Sequence, residues 1–323
     1  MTLISRLAAL ALSLFAGLMP AWAQNFPERP IKLVAPFPPG SATDAVARMI
    51  AEEMRKGLGQ TVIVENQAGA DGVIAAQAVK RAAPDGHTLM ISTNSAHGSN
   101  KALYAQLPYD PEKDFEPIGG VMRIPQLMVV RKDFPANDIA GFVQLARSRT
   151  GTQSYSFGTG NTSSRIAAEL LKGSAKIEMT AVPYRGTPQA LQDLVGGQID
   201  LFFADPFAAS ALMSSGQIKA LAITDTSRLA TLPDVPTMAE AGHRTVELVS
   251  FVAIFAPART DPVIVDRLNK ELNRVLALPQ FREFLTKMGA VPMVTTPAEL
   301  RSFVSTEVAR YVRLVEMAGI PKK

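Results

Sequence analysis

A short apolar strand, a loop of Gly, Pro, Ser, Thr or Asn, and an amphipathic helix recur in that order along most of this chain, which leaves few architectures open to it. Ile31 to Ala35 is strand-like, Pro36 to Thr43 is a loop, and Val46, Met49, Ile50 and Met54 recur at helical spacing until Gly57 to Gln60 ends the element. Thr61 to Glu65 reads as a second strand. The unit repeats as a helix over Ala75 to Ala83, a turn at Asp85-Gly86, a strand over His87 to Ser92 and a loop over Thr93 to Asn100. Val121 to Arg131 is strand-like, with a helix over Ile139 to Arg149 after it. Ser154 to Phe157, Gly158 to Ser163 and Ser164 to Lys172 follow as strand, loop and helix. Then come strand Met179 to Tyr184, loop Arg185 to Thr187, helix Pro188 to Val195 and strand Ile199 to Ala204. Strands alternating with helices imply parallel sheets covered on both faces.

Several helices open on a capping residue followed by Pro: Thr187-Pro188, Asp205-Pro206, Asp261-Pro262 and Thr296-Pro297. The side-chain oxygen accepts a bond from a first-turn amide, and Pro removes an amide that would lack a partner anyway. The tail from Asp261 to Ile320 is nearly all helix, so it is expected to pack on the outside of one domain. Length implies two domains. No fixed-period repeat and no low-complexity linker divides them, which points to crossover strands near Pro125 to Arg131 and Phe251 to Pro257 as the joint.

The first residues locate the protein. Arg6 precedes an uncharged apolar run from Leu7 to Met19, and Ala21-Trp22-Ala23 supplies the small-x-small pattern cut by a signal peptidase, here between Ala23 and Gln24. That run is well short of the ~20 residues of a membrane-spanning helix, and the chain has no Cys for a lipid anchor or a disulfide. An exported, soluble, periplasmic protein is expected. The formal net charge of +4 drops to +3 without Arg6. The charges are scattered, which argues against a nucleic-acid partner and suits a small anion. Trp22 is the single Trp, so the mature chain is expected to give no tryptophan fluorescence.

Enzyme signatures are missing. There is no G-x-S-x-G elbow, no S-x-x-K, no H-x-x-x-H and no phosphate loop. His87, His97 and His243 have no metal-ligand spacing. Gly158-Thr159-Gly160 opens a helix after a strand, but Ser163 stands where a dinucleotide fingerprint needs its third Gly. No catalytic residue, metal or cofactor is expected. What remains is a set of hydroxyl-rich strand-to-helix turns: Pro36 to Thr43, Thr93 to Ser99, and Gly158 to Ser164. Such turns lie at the carboxyl ends of strands, where free amides and helix dipoles favour a carboxylate. Taken singly, each also reads as an ordinary capped turn.

Family-specific patterns run the length of the mature chain. Val34-Ala35-Pro36-Phe37-Pro38-Pro39-Gly40 with Thr43-Asp44, Gly59-Gln60 to Val64-Glu65-Asn66 with Gly69-Ala70, and Ala83-Pro84-Asp85-Gly86-His87-Thr88-Leu89 cover its first third. Leu107-Pro108-Tyr109-Asp110, Lys113-Asp114-Phe115, Val182-Pro183-Tyr184-Arg185-Gly186, Asp193 to Asp200, Leu232 to Thr237 with Glu240-Ala241-Gly242, and Ala256-Pro257-Ala258 continue in order. The chain resembles Bug-type solute-binding proteins, the extracytoplasmic receptors of tripartite tricarboxylate transporters.

The resemblance implies an α/β, two-domain periplasmic binding protein fold of type II, with two doubly wound sheets joined by crossover strands and the ligand cleft between them. The expected division is 1–23 as signal peptide, 24–124 with 252–323 as domain 1, and 125–251 as domain 2, with 224–250 the hardest stretch to assign. It implies a monomer that takes an organic carboxylate and passes it to permease subunits of such a transporter; a periplasmic sensor feeding a kinase is the alternative. A third reading, a hydrolase or isomerase using Asp44, Arg165 and Asp205, lacks a base with a defined nucleophile.

The candidate ligand residues are Phe37, Pro39, Gly40, Ser41, Thr43 and Asp44 in a first anion loop, and Thr93, Asn94 and Ser95 in a middle wall. Thr159, Asn161, Thr162, Ser163, Ser164 and Arg165 form the opposing loop; Tyr184, Arg185, Asp205 and Phe207 complete the set. Ser41 stands where many members have Gly, and Arg165 where many have His. Ala204-Asp205-Pro206-Phe207 replaces a more usual acidic-Asn-x-Pro pattern. Arg165 reads either as a bidentate partner for a second carboxylate or as a solvated helix residue. Asp205 reads as an N-cap. Phe37 and Phe207 read as a sandwich for a flat, aromatic or bulky ligand body, or as cleft-wall packing.

Overall fold

The computed structural model describes residues 26–148, 154–158, 162–184 and 186–323. The signal segment with its cut, and Thr159, Asn161 and Arg185, lie outside the described residues.

β1 (Ile31–Ala35), α1 (Ala42–Leu58), β2 (Val62–Asn66), α2 (Val73–Lys80) and β3 (Thr88–Thr93) follow the alternating pattern. Thr93 to Asn100, expected as a loop, instead carries a π-helical turn at Ser95–Ser99 that leads into the short α3 (Asn100–Leu103). The Ser99 amide reaches back to the Asn94 carbonyl at 2.8 Å, which closes the wide turn. Next, β4 (Phe115–Pro125) and β5 (Leu127–Arg131) split the expected single strand-like stretch at Gln126, where the chain leaves one sheet for the other. The second lobe is built from α4 (Ile139–Ser148), β6 (Ser154–Gly158), α5 (Thr162–Ala175), β7 (Thr180–Tyr184), α6 (Thr187–Val195), β8 (Leu201–Ala204), α7 (Pro206–Ser214) and β9 (Ile218–Ile223). β10 (Val249–Pro257) returns to the first sheet, followed by α8 (Pro262–Ala277), α9 (Pro279–Lys287), β11 (Val291–Pro292) and α10 (Pro297–Met317).

Among the described residues the strands form two sheets, ordered β11-β4-β10-β3-β1-β2 and β7-β6-β8-β5-β9. Neither is purely parallel, as the alternation of strands and helices had implied. β1 pairs parallel with β2 and β3, and β6 with β7 and β8, but β10 lies antiparallel to β3 and β4, and β5 to β8 and β9. β5 and β10 are the strands by which the chain enters each sheet from the other lobe. They run against their neighbours, and an antiparallel ladder accepts them without a crossover helix.

Period-two alternation buries both faces of each sheet. In β10, Val252, Ile254 and Ala256 join a core with α1 and α8, while Phe251, Ala253 and Phe255 join one with α2 and the first half of α10. In β5, Met128 and Val130 face the α4 and α5 side, and Leu127 and Val129 the α6 side. Thr224 braces the two crossings: its hydroxyl accepts from the Gln126 amide at 2.9 Å and donates to the Leu248 carbonyl at 2.5 Å. Met238, Val246 and Leu248 are buried with the second-lobe core, so the stretch after β9 packs there.

Two local expectations change. Gly186, extended at φ −177° and ψ 169°, caps α6, and Thr187 is its first residue rather than its cap. Asp205, Asp261 and Thr296 do cap their helices through side-chain oxygens. The tail does not stay outside one lobe. Leu300, Val304 and Val308 of α10 belong to a first-lobe core, while Tyr311, Leu314 and Val315 are buried with second-lobe residues.

Candidate functional site

Between the sheets lies a cleft of about 1020 Å³, walled by the loops that follow β1 and β3, by β4 and β10, and by the starts of α6 and α7. Phe37, Pro39, Gly40, Ser41 and Thr43 line it from the first loop, and Thr93, Asn94 and Ser95 from the second. Asp205 and Phe207 line it from the other lobe.

The first loop is held from behind. Gly40 takes φ +82°, open to Gly at little steric cost, and its amide donates to Asp44 Oδ2 at 2.9 Å. Asp44 also accepts from Arg48 Nε at 3.0 Å and from Asn66 Nδ2 at 2.8 Å, and Asn66 Nδ2 donates to the Phe37 carbonyl at 2.9 Å. Burial raises the Asp44 pKa, but the bonds from Arg48, Gly40 and Asn66 outweigh it and hold the carboxyl below its usual range. Asp44 therefore sits behind the loop, outside the cleft lining. Ser41 Oγ accepts the Asp44 amide at 3.2 Å and so caps α1. The Ala42 and Thr43 amides, at the positive end of the helix, have no acceptor among the described residues.

The opposing loop lies elsewhere than a direct wall. Thr162 and Ser163, at the start of α5, are buried and bind the first lobe: Thr162 Oγ1 lies 3.0 Å from Ser95 Oγ and 2.9 Å from Ser99 Oγ. Asn94 Nδ2 donates to Ser163 Oγ at 2.8 Å, and Ser163 Oγ lies 2.8 Å from Ser250 Oγ. Thr162, Ser163, Ser164 and Arg165 are not among the residues lining the cleft, and the Thr162 and Ser163 hydroxyls fasten lobe to lobe beside Asn94 and Ser95. Tyr184 is also outside the lining. Its hydroxyl donates to Asp193 Oδ2 at 2.7 Å, and burial pushes its pKa up to about 12.

Beside Asp205 and Phe207, the second-lobe wall consists of residues the sequence reading did not single out. Gln189, Leu191, Gln192 and Val195 come from α6, Leu212 from α7, and Gln126 from the crossing. The helical spacing of Thr187, Leu191 and Val195 was visible, but not that this stripe faces a cavity. Asp205 is the ionisable side chain among the described lining residues, and no Lys or Arg accompanies it. Its Oδ1 accepts the Ala208 amide at 2.9 Å, and desolvation raises its pKa despite bonds from backbone amides. At the rim, Phe207 packs against the first-lobe core, and an added Cβ on Gly289 would stand 2.6 Å from Pro206 Cβ.

No group of three or more His, Asp or Glu able to hold a metal occurs among the described residues. His97 is fully buried, stacked on Phe255 at 3.8 Å with its Nδ1 2.6 Å from Ser92 Oγ, and burial pushes its pKa down to about 3. It is a neutral packing residue.

Residues 46–320 match the family model described as tripartite tricarboxylate transporter family receptor. The chain is 32% identical over 305 residues to the protein BugT of Bordetella pertussis, covering 94% of each. A solved R. palustris protein with adipate superposes with a TM-score of 0.88 at 33% identity, covering 92% of this chain and all of that one. MatC from Rhodopseudomonas palustris with bound malate superposes at 0.83 with 37% identity, covering 90% of this chain and all of that one.

Proposed function

Because this chain belongs to the tripartite tricarboxylate transporter receptor family, we propose that it is an exported receptor that captures an organic carboxylate in the interlobe cleft and hands it to membrane subunits of a secondary transporter. The observation that carries this reading is the start of α1. Ala42 and Thr43 line the cleft, and their amides have no acceptor among the described residues, beside a loop clamped by Asp44. A carboxylate there completes two hydrogen bonds and meets the positive end of the helix dipole. Bonds to a charged group contribute ~1.5–3 kcal/mol each. Two of them with the Ser41 and Thr93 hydroxyls reach the ~8 kcal/mol of micromolar affinity once apolar burial offsets the cost of association.

The relatives solved with adipate and with malate support a carboxylate as ligand class. The leader pattern through Ala23 supports a periplasmic site of action. In this reading the lobes close on the ligand and no bond is broken. A thermal-shift screen against aliphatic and aromatic mono- and dicarboxylates tests it, since a ligand at 100 times its Kd stabilises the native state by ~2.7 kcal/mol. A panel that leaves the melting temperature unmoved overturns the proposal.

A further inference from the structure

Resting on the carboxylate-receptor reading, we propose that Asp205 makes the cleft select monocarboxylates whose far end carries a hydrogen-bond donor, an ammonium above all, and reject dicarboxylates. The amides suited to a carboxylate lie on the first lobe, at Ala42 and Thr43. Asp205 lines the same cavity from the second lobe, at the start of α7. A ligand anchored at the first lobe and spanning the cleft therefore directs its other end toward that acid. Along the way it passes Phe37, Phe207, Leu191 and Leu212, a wall that suits an apolar body.

Among the described residues no charged partner faces Asp205 and no Lys or Arg lines the cleft; its carboxylate is held by backbone amides, that of Ala208 at 2.9 Å together with those of Asp205 and Phe207. A second ligand carboxylate would bring like charge against it inside a partly desolvated cavity, where the repulsion is several times that in water. A hydroxyl or ammonium would instead donate to this carboxylate, and an ammonium would add the opposite charge that no described lining residue brings. Discrimination of this kind arises from what the site repels as much as from what it attracts.

A purely structural role for Asp205 makes a different prediction. Asn is as good an N-cap as Asp, so Asp205→Asn keeps α7 intact while removing the charge. The test measures binding of two matched sets by calorimetry to the mature protein and to Asp205→Asn. One set is hexanoate, 6-aminohexanoate and adipate; the other is benzoate, 4-(aminomethyl)benzoate and terephthalate. In the wild type the amino acid of at least one set binds about ten-fold or more tighter than its diacid, a difference of about 1.4 kcal/mol. Asp205→Asn, with an unchanged melting temperature, cuts that ratio about five-fold or more, the diacid gaining and the amino acid losing. A diacid that binds the wild type as well as its amino partner, or a ratio that the variant leaves intact, overturns the selectivity proposal while the receptor reading stands. Binding by none of the six acids removes both.

Discussion

Asp44 shows how one side chain can govern a binding loop without touching what is bound. Its carboxylate gathers the Gly40 amide, Arg48 and Asn66 into one knot, which fixes the turn whose outer surface faces the cleft. Asp44→Ala removes the acceptor of the Gly40 amide and one of the two acceptors of Asn66 Nδ2, which keeps the Phe37 carbonyl, and each such lost hydrogen bond costs about 1 kcal/mol. A drop of about that size in urea-unfolding free energy is expected, with weaker carboxylate binding; unchanged affinity would mean that the loop holds its shape unaided. The native carboxyl titrates below its ordinary value of 3.8. A depressed native pKa contributes stability that is present above 3.8 and disappears as pH falls through the native value. The wild type should therefore lose more unfolding free energy than Asp44→Asn when urea melts at pH 5 are repeated near pH 3. At this scale the sequence reveals residue types better than directions. Gly40, Ser41 and Thr43 were legible as a helix-start loop because turn chemistry is local. That Asp44 turns inward depends on Asn66, 22 residues away, and no local rule contains that distance.

The elements were legible where period and caps agree, and less so where tertiary partners decide. α10 begins with a capping box, Thr296 Oγ1 accepting the Glu299 amide at 3.2 Å and Glu299 Oε2 accepting the Thr296 amide at 2.8 Å, as the Thr-Pro-x-Glu spelling suggests. Its destination was not legible. Leu300, Val304 and Val308 recur at i, i+4 and i+8 like any amphipathic stripe, and nothing in that spacing says that Tyr311, Leu314 and Val315 belong to another lobe. The same limit hid the sense of β5 and β10, whose apolar alternation is identical in parallel and antiparallel sheets. It also hid the role of α5, whose hydroxyls looked ligand-facing because Ser and Thr serve caps, anions and lobe-to-lobe contacts alike. Thr296→Ala should lower stability by about 1 kcal/mol, the usual worth of an N-cap. Because α10 enters both cores, near-UV signals from the two lobes should fall in one transition; separate transitions would show that the helix does not couple them.

The two-lobe architecture was readable from repeated grammar and length, since few arrangements bury that many alternating strands and helices. How far the lobes are engaged with each other was not. They meet at the buried Asn94 amide and the hydroxyls of Ser95, Thr162 and Ser163, and again at the rim, where Pro206 and Phe207 rest on the first lobe. Gly289 makes the rim contact possible. It ends α9 at φ +66°, and a Cβ there would lie 2.6 Å from Pro206 Cβ and 3.2 Å from Leu229 Cδ1, both on the other lobe. Proline cannot rotate away, so Gly289→Ala must push the rim apart. Gly59, which ends α1 at φ +70° with nothing within 4 Å of an added Cβ, shares the backbone strain but not the contact. Both Ala variants should therefore lose a similar ~1–2 kcal/mol for the left-handed backbone. Only Gly289→Ala should also bind carboxylate more weakly, by about three- to ten-fold, because apparent affinity scales with the fraction of molecules able to close. Small-angle scattering with saturating ligand adds an independent measure, a larger radius of gyration for Gly289→Ala than for Gly59→Ala. Equal affinities and equal radii in the two variants would mean that the rim contact has no part in closure, leaving the buried hydroxyls and the crossing strands to hold the lobes together.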